Sequence, residues 1–194
     1  MATEEIGQWL NKNLLETNRN DLYLPTKYDG TFYTIDQLKD DQKDIVAVIL
    51  NTLKHFIEDD EFNPEKQFLR MTITGVAGSG KSILINTIVT ILRRIFQYNE
   101  CIQVFAPTGS AAFAAGGETI HRGFKLPNSY QNMIIDSKRM EYYIKRFDNT
   151  VAIIFDERSL IDATNLGAME YYCKETLRQK NVHICHGEEY QLLY

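Results

Sequence analysis

The chain has 194 residues, 44% of them hydrophobic and 24% charged, with a formal net charge of −5. That composition supplies apolar mass for one globular domain, or one domain plus an arm, and excludes a disordered or fibrous polypeptide. The acidic balance argues against a protein that coats nucleic acid without discrimination, because phosphate contacts need clustered lysine and arginine.

The N-terminus, MATEEIGQWLNKN, shows no basic run followed by an apolar stretch, and no later segment is apolar for long enough to span a bilayer. The expectation is a soluble, intracellular protein. Residues 1–34 lack periodicity and read as an irregular arm, with proline, glycine and aromatics mixed in LPTKYDGTFYT. A domain is expected over residues 35–194. From Asp36, the spacing of Leu38, Ile45, Val48, Ile49, Leu53 and Phe56 predicts one amphipathic helix or two short ones, with acids toward the start. Asn63 and Pro64 then interrupt the chain.

Beyond that break the chain alternates in type. FLRMTIT reads as a strand, Lys81 to about Phe96 as a long helix, and CIQVFAP as a second strand. TGSAAFAA opens another helix, and TVAIIFD is a third strand, almost wholly apolar as a strand covered on both faces would be. A helix from about Leu160 to Gln179 and a fourth strand, VHIC, complete the series. The alternation predicts an α/β fold with a doubly wound, mainly parallel sheet and helices on both faces. Ligands of such sheets sit beyond the carboxyl ends of the strands.

GVAGSGKS, comprising Gly75, Val76, Ala77, Gly78, Ser79, Gly80, Lys81 and Ser82, has the phosphate-loop pattern between a strand and a helix. Glycines there let backbone N–H groups turn inward around phosphate oxygens, and the helix N-terminus adds partial positive charge. Lys81 would bridge the outer phosphates of ATP and Ser82 would hold magnesium. VAIIFDE delivers Asp156 and Glu157 to a strand's carboxyl end. Asp156 fits a magnesium partner, directly or through water, and Glu157 a base that polarises the attacking water, so the pair favours an ATPase over a small-molecule kinase. Between His121 and Phe147, Arg122, Lys125, Lys138, Arg139, Lys145 and Arg146 face only Asp136 and Glu141, a net +4 that reads as a solvated face or a nucleic-acid patch. Cys101, Cys173 and Cys185 form an odd set without CxxC spacing, which predicts reduced thiols. A metal site at His183, Cys185 and His186 is disfavoured, since alternation along a strand points them to opposite faces.

The order GVAGSGKS, APTGSAAFAAGGETIHRGFKLP and IIFDERSLID resembles the PIF-type DNA helicases, RecD-like members of superfamily one. The resemblance covers roughly Leu38 to the C-terminus and implies a RecA-like, N-terminal motor domain that uses ATP and magnesium. It implies that Gln42 reads adenine, that Thr108 and Gly109 touch single-stranded DNA, and that Thr119, His121 and Phe124 lie in the next strand-contacting segment. Phe124 and Tyr130 could stack bases, although aromatics at such positions are more often core. In HGEEYQLLY, Gly187, Gln191 and Leu192 match a further motif, with Gln191 as γ-phosphate sensor, while Glu188, Leu193 and Tyr194 depart from it. Arg158 stands where the family usually has an apolar residue.

The family's helicases carry a second RecA-like domain, expected to be absent from this chain, which supplies an arginine worth about 4 to 7 kcal/mol of transition-state stabilisation. The leading reading is therefore the first motor domain of an ATP-dependent DNA helicase of five-prime to three-prime polarity, as a fragment with weak activity of its own. Such a domain would serve DNA repair and recombination, in the nucleus ahead of the mitochondrion. The alternative is a degenerate nucleotide- or DNA-binding module without turnover. An unrelated kinase or GTPase fits poorly, since TIH..F has no role there, and ATP is expected over GTP.

Overall fold

The computed structural model describes residues 22–58, 69, 71–126 and 135–179. It divides into two compact units, residues 1–69 with 74–102 and residues 70–73 with 103–194.

In the first unit a short 3-10 turn, Ile35–Gln37, precedes helix α1, Asp40–Glu58. Asp40 and Asp41 lie in its first turn, where carboxylates complement the helix dipole. Its buried stripe runs through Gln42, Val46, Ile49, Leu50 and Leu53. Val48, expected inside, is 47% exposed, because two residues past Val46 the helix has turned by about 200°. Leu38 is buried as expected, whereas the side chain of Phe56 lies outside the described residues.

Helix α2, Lys81–Phe96, is buried without a break from Leu84 to Leu92, as a helix enclosed on all sides must be. Its polar Thr87 and Thr90 satisfy themselves by donating to the carbonyls of Ile83 and Asn86 at 2.8 Å each. Near its end, Arg93 donates to Tyr23 O (2.6 Å) and to Asn99 O (3.0 Å), while Tyr23 N donates to Asn99 Oδ1 (2.7 Å). The late part of the segment expected as an irregular arm is thereby tied to this unit.

The expected strand FLRMTIT does not form over Met71–Val76. Half-buried Met71 and Ile73 alternate with exposed Thr72 and Thr74, so the strand pattern persists without a ladder. Strand preference in so short a run depends on neighbours to pair with.

Among the described residues, the second unit is built on a three-stranded sheet of order β2-β1-β3, from β1 (Ile102–Ala106), β2 (Glu118–Thr119) and β3 (Ala152–Phe155). β1 is buried along its whole length and runs parallel to β2, pairing Phe105 with Glu118 and Ala106 with Thr119. Helix α3, Gly109–Ala114, makes that crossover, and the short helix α4, Ile120–Gly123, follows β2. Helices α5, Ser137–Arg146, and α6, Ala163–Gln179, complete the unit. Its core is aromatic: Phe105 and Phe124 have ring centroids 4.9 Å apart, and Tyr143 stacks on Tyr172 at 5.0 Å. A Cβ on Gly123 would overlap the Phe105 ring, so this turn can approach β1 only as glycine. The expected strand VHIC lies outside the described residues. No helix among the described residues is long and apolar enough to cross a membrane.

Candidate functional site

The phosphate-loop sequence forms a turn in which Ser79 N donates to Val76 O at 3.1 Å and Gly78 and Gly80 take φ of 79° and 93°. Gly80 is the N-cap of α2 and offers it no side-chain cap, so the first N–H groups of the helix face the loop. Lys81 Nζ folds back over the loop and donates to the carbonyls of Gly75 (2.7 Å) and Val76 (3.1 Å). An ammonium already arched over glycine backbone, beside an open helix N-terminus, fits the phosphates of a nucleotide. Ser82 is exposed next to it, as are Gly75, Val76 and Ala77.

Gln42 reaches the same loop from α1. Its Nε2 donates to Ser79 O at 3.2 Å, its Oε1 accepts from Lys39 N at 3.1 Å, and only 8% of the residue is exposed. It braces the loop from behind, with one N–H and one lone pair of the carboxamide left for a further partner.

In the second unit the sheet sets the order of three motifs. Asp156 N donates to Phe105 O at 2.8 Å, so the Asp156–Glu157 pair leaves β3 beside the end of β1. Thr108 and Gly109 follow β1, while Thr119 ends β2, opposite Ala106, and His121 follows it. The three segments lie side by side at the carboxyl edge of the sheet. Glu157 holds φ of 52°, a left-handed conformation that a non-glycine residue adopts at a cost of about 1–3 kcal/mol, and its N–H donates to Asp156 Oδ1 at 2.9 Å. Strain of this kind clusters where a side chain has to be aimed.

Thr108 and Thr119 are both N-caps. Thr108 Oγ1 accepts from Ala111 N at 3.2 Å and Thr119 Oγ1 from Arg122 N at 3.3 Å. Gly109 and His121 are exposed. Phe124 corrects the expectation of a strand-contacting ring: it is fully buried, 5.4 Å from Phe147 and 6.1 Å from Phe155 between centroids, and cannot stack a base. Its apolar ring is worth more in the aromatic core than in water. Tyr130 and Gln191 lie outside the described residues, as do His183, Cys185 and His186. Among the described residues, no three histidine, cysteine or acidic side chains gather as a metal would need.

The basic stretch is less free than its sequence suggests. Arg146 forms an ion pair with Glu118, a residue that composition alone did not single out. Arg122, with its side chain 85% exposed, reaches the same carboxylate only at 3.7 Å, a tie worth about 0–1 kcal/mol. Lys125 Nζ sits 3.5 Å above the Tyr142 ring, which at an exposed position contributes about 0.5–1 kcal/mol. Two tyrosine hydroxyls of α5 hold the turn beneath these cations: Tyr142 Oη donates to Gly123 O at 3.1 Å and Tyr143 Oη to Phe124 O at 2.5 Å. Burial pushes both phenols above their ordinary titration range, so both keep the protons they donate. The adjacent tyrosines on a helix otherwise rich in lysine and arginine were the signal for this clamp.

The family model for PIF1-like helicases matches residues 37–190. Over 150 residues the chain is 31% identical to the ATP-dependent DNA helicase PIF1 of Candida albicans, covering 76% of this chain and 16% of that protein. It is 33% identical over 105 residues to PIF1 of Saccharomyces cerevisiae, and 30% identical over 107 residues to RRM3 of the same species. Those stretches cover 53% and 50% of this chain, and 12% and 14% of the respective relatives. The chain therefore spans about a sixth or less of the length of these relatives. No solved structure matches it. The parallel sheet with its helices agrees with an α/β, RecA-like architecture. With a family match across most of its length, the chain belongs to the PIF1-like helicases.

Proposed function

We propose that this chain is an ATP-binding motor domain of a DNA helicase, acting on single-stranded DNA with five-prime to three-prime polarity. The observation that carries the reading is the strand order β2-β1-β3, which sets the Thr119–His121 segment, the Thr108–Gly109 loop and the Asp156–Glu157 pair next to one another along one edge. A device that couples nucleotide to strand needs those two kinds of group in mechanical contact.

In this reading Lys81 exchanges two neutral carbonyl acceptors for phosphate oxygens, a gain because charge-assisted bonds are about twice as strong. Backbone N–H groups from Gly75 to Ser82 cradle the phosphates, and Gln42 serves both as brace and as adenine contact. Ser82 and Asp156 would hold magnesium, which supplies neutralisation of phosphate charge when bound. Glu157 orients and deprotonates the attacking water, and Gln191 senses the γ-phosphate. Thr108, Gly109, Thr119 and His121 contact the strand through backbone and exposed atoms, their threonine hydroxyls being engaged as caps. The presence of Lys81, Ser82, Asp156 and Glu157 together speaks for turnover rather than for a degenerate binding module. The reading carries an address with it, the nucleus ahead of the mitochondrion.

The test is titration of a fluorescent ATP analogue with magnesium into this chain and into Lys81→Ala, with and without an oligothymidylate. Micromolar binding that the variant loses and the oligonucleotide alters is expected. Equal binding by parent and variant, or none by the parent, overturns the reading.

A further inference from the structure

Six cations crowd the stretch from Arg122 to Arg146, yet their surroundings separate them. Arg146 is held: its side chain is only 26% exposed, it pairs with Glu118, and its carbonyl accepts from Gln103 Nε2 at 3.1 Å. Arg122 and Lys125 are the opposite case, exposed side chains on a turn whose backbone is fixed. Phe124 N donates to Ile120 O (2.9 Å) and Leu126 N to His121 O (3.1 Å). Phe124 and Leu126 are buried, and the two tyrosine hydroxyls of α5 take the carbonyls of Gly123 and Phe124. Lys125 itself holds φ of 43°, a left-handed conformation that this clamping maintains and that swings its side chain over the Tyr142 ring.

The geometry points to Arg122 and Lys125 as the pair of cations that grips the phosphates of the single strand, exchanging Glu118 and the Tyr142 ring for phosphate oxygens. The assignment rests on the single-strand reading above and narrows it to two side chains outside the motif positions already considered. Three observations carry it. The turn follows β2 at the sheet edge shared with Thr108 and Gly109, so its cations stand beside the segments expected to hold the strand. Both present ties are of the weak, solvent-facing kind, and phosphate outcompetes each, being anionic where the ring is neutral and freer of a second cation than Glu118 is. The rigid backbone fixes where the two charges are displayed, which lowers the ordering cost of binding. Glu118 gains a further role as an anion that competes weakly with the strand for Arg122.

The experiment is fluorescence anisotropy of a labelled oligothymidylate with this chain, from about 50 to 200 mM salt, for the parent, Arg122→Ala, Lys125→Ala, Lys138→Ala and Glu118→Gln. Arg122→Ala and Lys125→Ala are expected to weaken binding about three- to tenfold at low salt, and each to reduce the salt slope by about 0.7, the value for one phosphate contact on a single strand. Lys138→Ala, an equal change of charge on the exposed start of α5, should leave the slope nearly unchanged. Glu118→Gln should tighten binding. Unchanged slopes in the first two variants, an equal loss in Lys138→Ala, or weaker binding in Glu118→Gln would overturn the assignment while strand binding by the parent stands. No binding by the parent at any salt removes the assignment together with the reading on which it rests.

Discussion

The carboxamide of Gln42 commits one donor to the Ser79 carbonyl and one acceptor to the Lys39 amide, and so belongs to the loop before any base arrives. Two roles then predict different losses. An adenine reader that is removed abolishes discrimination between ATP and GTP, whereas a brace that is removed weakens both nucleotides alike. Since both uses fit the four hydrogen-bonding sites of the amide, Gln42→Ala is expected to weaken ATP about tenfold, one buried hydrogen bond's worth, and GTP by less. Competition titrations with the two nucleotides measure it, and an equal loss for both would leave only the brace. The glutamine was singled out by the resemblance to the PIF-type helicases, but its bond to Ser79 was not legible. Thr108 and Thr119 were likewise singled out by the resemblance, and their hydroxyls cap α3 and α4, which it did not foretell. A motif transfers a position along the chain, not the local partner that a side chain finds there. Phe124 is the sharper case: an aromatic beside lysine and arginine reads as a platform or, more often, as core, and only the third dimension decides.

Elements with a strong internal period were legible almost to the residue. α2 begins at Lys81 and ends at Phe96, and β1 and β3 lie within CIQVFAP and TVAIIFD, because continuous apolar runs bounded by polar turns leave little choice. Met71–Val76 failed the same test, since a four-residue alternation needs a neighbour to become a strand. The turn joining α4 to Leu126 was the least legible element, although it governs the basic surface. Its tolerance is set by Gly123, whose Cα abuts the buried Phe105 ring. Gly123→Ala is expected to destabilise the protein by about 1–3 kcal/mol, as overpacking of a filled core does. Urea unfolding reads this directly, and a midpoint unchanged from the parent would show that the ring can move aside.

At the scale of the molecule, each unit buries an acid that titrates late. In the first unit burial pushes the Cys101 thiol up to about 12, against the opposing pull of Arg93. In the second, burial raises the Tyr143 phenol, with Tyr172 adding to it. Both groups hold their protons in the folded state at pH values where the unfolded chain has released them. Their stabilisation is complete below about pH 8.5, the ordinary thiol value, and is lost as pH rises toward the folded values. The urea midpoint should therefore fall between pH 8 and pH 10.5, and fall less in Cys101→Ala. A midpoint independent of pH over that interval would contradict the burial of both groups. Native Cys101 should likewise resist alkylation at pH 8 and react once the chain is unfolded.

The strand order carries one more implication. Neighbouring strands stand about 4.8 Å apart, so the segment after β2 and the acidic pair after β3 are separated by about 10 Å, with β1 between them. That span is bridged by hydrogen bonds and close-packed aromatic rings rather than by a flexible connection. A displacement at the end of β1 would therefore be passed to both neighbours, as along a crossbar. Under the function proposed above, the timing between gripping a strand and positioning a water would follow from the stiffness of these three described strands.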